Sequence, residues 1–245
     1  MSPLTMQHQQ YPRIASTLIA LLMTVASTCN AQGTPPENKQ DFSDAEKLLF
    51  MSNQLSDVKP ASMLRYSFRK TGSFEEGFED SVALSFEKQP DGTCCNVKSD
   101  FFTGARRLPL PDAPMAEGNP VLLHFLERDI AEMKRLTKGS LNHFRKRIRM
   151  AAYQDATVRE ASFIYNNKAI AGKQISFSPY LDDPNRPKYE KFARKQYQFL
   201  LSEAVPGGIY GIRTQISGEA AGSPDVIVEE LLVDGASSSI PSQTK

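Results

Sequence analysis

Few side chains in this sequence are equipped for chemistry. Its 245 residues include three cysteines, three histidines and no tryptophan. Cys94 and Cys95 are adjacent. On a strand, neighbouring side chains point to opposite faces, so the two thiols diverge, Cys95 inward as a small hydrophobe and Cys94 toward solvent. A bridge between neighbours needs a distorted peptide and makes a poor staple. Redox chemistry would need an exposed thiol, and no standard zinc spacing is present. His124 and His143 read as solvent-facing helix residues, and no G-x-S-x-G elbow accompanies them. Nucleophilic hydrolysis is therefore unsupported, and neither a cofactor nor a metal is expected. Carboxylates are the remaining catalytic option. Asp129 falls inside the apolar arc of its helix and needs a cation, for which Arg65 and Arg69 are the candidates. Asp182 and Asp183 stand near Glu190, but an Asp before proline is ordinary turn chemistry.

Charge is distributed unevenly. Lys and Arg total 29 against 28 Asp and Glu, a balance that excludes a general nucleic-acid binder. Yet Lys134, Arg135, Lys138, Arg145, Lys146, Arg147 and Arg149 fall within one stretch that holds no acid. Such a field suits an acidic protein surface or an anionic lipid head group. Two acidic stretches could cover it within the same molecule: Glu75, Glu76, Glu79, Asp80 and Glu87, then Glu219, Asp225, Glu229, Glu230 and Asp234. The second accompanies an apolar patch at Val226–Val233 in a tail otherwise rich in small residues.

The elements that position these groups follow from hydrophobic period. Residues 1–31 contain no acid, one Arg and an apolar run from Ile14 to Ala26. Thirteen helical residues span ~20 Å, short of the ~30 Å hydrocarbon core. The pattern predicts a secretory signal peptide cut after Ala31, with a lipoprotein cut before Cys29 as the alternative. Residues 32–42 are a polar leader. Ser43 and Glu46 form a capping box for a helix from about Asp44 to Ser52. Period two then marks strands at 63–69, 81–87 and 95–101, turning at Pro90-Asp91-Gly92.

Asn119-Pro120 starts an amphipathic helix with Leu122, Leu126, Ile130 and Met133 on one face. Gly139-Ser140 ends it and begins a second helix with Leu141, Phe144, Ile148 and Ala152. Hairpins at 158–177 and 197–214 complete the pattern, the first turning at Asn166-Asn167-Lys168. The sequence thus predicts one α+β domain over 43–217, a twisted antiparallel sheet of about seven strands with the helix pair on its apolar face, followed by an acidic tail over 218–245.

This order resembles periplasmic lipid or lipoprotein carriers, in which a curved sheet closed by helices encloses an apolar ligand; the resemblance covers architecture only. It implies an exported, non-enzymatic envelope protein binding an amphipathic or lipidic ligand or an anionic partner, with the sheet's apolar face as pocket. A protein–protein adaptor using the basic helices and a carboxylate enzyme are the alternatives. No transmembrane span is expected in the mature chain, and the periplasm is the expected compartment.

Overall fold

The computed structural model describes residues 41–89, 94–220 and 222–238, the side chain of Cys94 excepted. The segment expected to be a signal peptide, most of the expected leader and the expected Pro90-Asp91-Gly92 turn lie outside the described residues. Ser43 accepts from the Glu46 amide at 3.2 Å while Glu46 accepts from the Ser43 amide at 3.1 Å. This capping box opens α1 (Asp44–Glu46), which widens into a π-type turn at Lys47–Met51 and buries Ala45 and Leu49.

Three strands follow, β1 (Ser62–Thr71), β2 (Phe78–Lys88) and β3 (Cys94–Phe101), paired as an antiparallel meander. In β1 the inward parity is Leu64, Tyr66, Phe68 and Lys70. Helix α2 (Pro120–Thr137) begins at Asn119, whose Oδ1 accepts from the Val121 amide at 3.1 Å. It ends at Lys138, held at φ 59°. Helix α3 spans Leu141–Gln154; Ser140 occupies its N-cap position without a side-chain cap bond.

The second meander comprises β4 (Thr157–Tyr165), β5 (Lys168–Phe177), β6 (Gln196–Leu201), β7 (Ile209–Ile216) and β8 (Ile227–Val233). Asn166 and Asn167 take φ of 47° and 62°, the left-handed geometry a two-residue hairpin needs. One sheet results, in the order β3-β2-β1-β8-β7-β6-β5-β4, with every pairing antiparallel.

The class matches expectation, but the sheet has eight strands rather than about seven. The additional strand comes from the segment read as a tail. β8 sits mid-sheet between β1 and β7, and all seven of its residues are buried. A strand covered on both faces loses the alternation by which strands are recognised.

Topology dictates where the helices go. β3 and β4 are the opposite edges, seven steps of ~4.8 Å apart. The connection must cross the sheet, and the ~27 Å length of α2 spans most of that distance. Phe68 of β1 meets Phe125 of α2 with ring centroids 6.5 Å apart, and Phe144 of α3 meets Tyr180 at 5.6 Å. Leu84, Val97, Phe125, Phe144 and Phe199 are all inaccessible to water in one continuous core. The sheet's apolar face is filled by its helices. What remains open on that face lies beside α2 and not beneath it.

Candidate functional site

A chain of buried charges lies between α2 and the sheet. Asp129 of α2 is fully buried, with Lys195 bonded to one carboxylate oxygen and the Tyr197 hydroxyl donating to the other at 2.5 Å. The hydroxyls of Tyr180 and Tyr197 are 3.1 Å apart. Burial pushes the Asp129 carboxyl up, and the neighbouring Glu229 charge adds to this against the pull of Lys195. The expected partners Arg65 and Arg69 are elsewhere: Arg65 is exposed and Arg69 pairs with Glu79 at 3.4 Å. Sheet register explains this, because Arg65 and Arg69 share the parity of β1 that points away from α2.

Glu229 of β8 continues the network. It lies 2.8 Å from Arg128 of α2 and 3.7 Å from Lys70 of β1. Burial alone would raise its pKa; Arg128, Lys195 and Lys70 outweigh that and bring it down to about 2. Lys70 also donates to Glu132 at 2.7 Å and to Glu75. Arg135 then binds both of those carboxylates, at 2.7 Å and 2.8 Å. Four cations and four anions are thus joined from the core to the surface, each partnered as a buried charge requires.

At its outer end the network borders a groove of about 510 Å³ between α2 and the β1–β3 meander. Phe78, Phe102 and Leu108 supply its apolar lining. The Arg128 guanidinium lies 5.6 Å from the Phe102 ring, and Arg106 lies 4.6 Å over Phe78. Phe102 adopts φ 68°, a left-handed conformation that costs an aromatic residue free energy and marks a constrained position. Among the described residues, Arg106 is exposed and forms no ion pair with a carboxylate. The groove therefore offers an apolar surface with Arg106 stacked above it, while Glu75, Glu76 and Glu132 also line its rim and Glu75 and Glu132 hold Arg135. A smaller cleft of about 390 Å³ lies at the sheet end, between Lys191, Arg194, Ser217 and Ser223.

The seven basic residues singled out above divide by location. Arg135 joins the network at the groove rim. Arg145 bonds Glu127 across the two helices at 2.6 Å and 2.8 Å. Arg147 turns inward, donating to the Pro179 carbonyl at 2.9 Å and approaching Asp183 at 3.4 Å. Lys134, Lys138, Lys146 and Arg149 are exposed and have no ion-pair partner among the described residues.

Two histidine expectations change. His143 is half-buried and meets Asp183 at 2.7 Å, so the acid missing from the local sequence arrives from the 178–190 loop. Burial would raise the Asp183 carboxyl, but bonds from Tyr189, the Asn185 amide and His143 hold it below its usual value. This is an oriented imidazole, yet among the described residues no serine, threonine or cysteine bonds to it. His124 is half-buried, and desolvation lowers its pKa. Cys95 packs inward as expected but is disulfide-bonded, not a free thiol.

Sequence reasoning missed most of the network. Lys70 was recoverable, because it continues the inward parity of Leu64, Tyr66 and Phe68. Lys195 and the groove carry no local signal.

Comparisons with known proteins give little purchase. No family model and no curated protein matches the chain. Among solved structures it is similar to the Mycobacterium tuberculosis lipoprotein LppX, at 10% identity over 81% of this chain and 99% of that one, with a TM-score of 0.33.

Proposed function

We propose that this chain is an exported, non-enzymatic envelope protein that binds an anionic amphipathic ligand in the groove between α2 and the β1–β3 meander. The observation that carries the reading is Arg106, an exposed cation without a carboxylate partner among the described residues, held 4.6 Å above an apolar wall. The ligand's acyl portion lies along Phe78, Phe102 and Leu108, and its anionic group meets Arg106. A volume of about 510 Å³ is within the range of small-molecule sites. Because helices fill the sheet's inner face, the ligand sits beside α2 instead of beneath it. The short apolar segment at Ile14–Ala26 supports export, and the mass of the mature protein tests the cut after Ala31.

Calorimetric titration with oleate and with methyl oleate tests the site. Oleate binds the wild type, the ester binds about tenfold more weakly, and Arg106→Gln removes the difference. Equal binding of acid and ester, or oleate binding unchanged in both Arg106→Gln and Phe78→Ser, overturns the assignment.

A further inference from the structure

The helical layer has an outer face that the groove does not use. On α3, Lys146, Arg149 and Tyr153 recur at i, i+3 and i+7 and so line one stripe. On α2, Leu123, Glu127 and Lys134 do the same at i, i+4 and i+11, and Lys138 follows at the helix end. The Arg145–Glu127 pair joins the two stripes side by side and neutralises the acid between them. Lys134, Lys138, Lys146 and Arg149 remain as four exposed cations with no ion-pair partner among the described residues.

The apolar half of this face is equally exposed. Leu123 is 56% accessible and Tyr153 45%. They lie near the start of α2 and the end of α3, where the α1 segment crosses: Ser43 donates to the Ala152 carbonyl at 3.1 Å, and Gln54 accepts from the Asn119 amide at 2.8 Å. That segment carries Phe50 and Met51, which are 41% and 55% accessible. Of its acids, Glu46 lies in the capping box and Asp44 and Asp41 stand beside Lys47 at 3.7 Å and 3.8 Å, while Asp57 is exposed.

We infer that this outer face docks on an anionic lipid surface, with Phe50, Met51, Leu123 and Tyr153 entering the interface and Lys134, Lys138, Lys146 and Arg149 lying on head groups. Large apolar side chains beside unpaired cations match what a charged membrane surface offers. An acidic protein would satisfy the cations but leave the adjoining apolar tips without a counterpart. The inference is independent of the groove, since none of these eight residues lines it.

Co-flotation of the full chain with vesicles of phosphatidylcholine, with and without phosphatidylglycerol, is the test. Any contribution of residues 1–31 is common to every variant. The wild type partitions onto the anionic vesicles preferentially. The combined Lys134→Gln, Lys138→Gln, Lys146→Gln and Arg149→Gln variant loses about tenfold or more of that partitioning. Phe50→Ser with Tyr153→Ser weakens it as well, whereas Lys168→Gln, at the exposed start of β5, leaves it unchanged. All replaced side chains are exposed, and thermal melts confirm that the variants fold. Equal partitioning onto neutral vesicles, or full retention by the fourfold variant, overturns the proposal. So does capture of an acidic protein by the same cations without any vesicle binding.

Discussion

Tyr197 donates its hydroxyl to Asp129 over 2.5 Å, and Lys195 holds the other oxygen of the same carboxylate, all three side chains being shut off from water. A buried ion pair is costly to break and much less costly to remove whole. Asp129→Ala should therefore destabilise the protein by about 3–5 kcal/mol in urea unfolding, because Lys195 is left uncompensated. Replacing both, Asp129→Leu with Lys195→Met, should cost less than the sum of the single changes. Additive losses would mean that the pair is not coupled.

Acid sensitivity follows from Glu229. Its pKa in the folded protein is about 2, against an ordinary 4.5. Since the folded value is the lower, the unfolded chain takes up its proton first. The contribution is complete above pH 4.5 and is lost as pH falls toward 2. Glu132 and Asp183 are shifted in the same direction. Asp129, shifted upward, has the opposite sign: its contribution is full below its ordinary 3.8 and declines as pH rises through its folded value. Stability measured from pH 6 to pH 2 should fall steeply, and Glu229→Gln should be less stable at pH 6 but show a shallower fall. A parallel curve would refute the assignment.

Asn119 joins three elements. Besides capping α2 it donates to Tyr66 Oη and the Gly207 carbonyl, both at 2.8 Å, and it is 2% exposed. Gly207 itself adopts φ 73°, and an added Cβ would collide with Leu64 and Asn119. Asn119→Ala should cost about 2 kcal/mol, combining a lost cap with buried groups left unpaired. Asn119→Ser should recover only the cap share. Full recovery by serine would show that the bonds to Tyr66 and Gly207 contribute nothing.

Removal of residues 218–245 should abolish folding, not release a tail. β8 pairs with β1 through Tyr66–Val233 and with β7 through Ile216–Ile227, so its loss separates the two meanders. Circular dichroism and gel filtration of a chain ending at Ser217 check this; a compact, cooperatively melting product would contradict it.

Local features could be read directly from the residues. The Ser43–Glu46 capping box, the Asn119-Pro120 helix start, the alternation in β1 and the Asn166-Asn167 turn each depend on groups a few residues apart, where backbone geometry alone decides the outcome. The basic stretch was visible too, but not which of its members would be free. Arg147 meets Asp183 only because the 178–190 loop folds against α3, and Lys195 meets Asp129 across 66 positions of chain.

Tertiary structure alone decided those pairings, the central position of β8 and the site of the groove. A buried charge must find an opposite charge, and composition states that need without naming the partner. Strand order names it, by setting β8 beside β1 and laying α2 across both. The same packing fills the centre of the sheet's inner face, moving the binding surface from beneath the helices, where the element order suggested it, to the edge of α2, where Arg106 lies over Phe78.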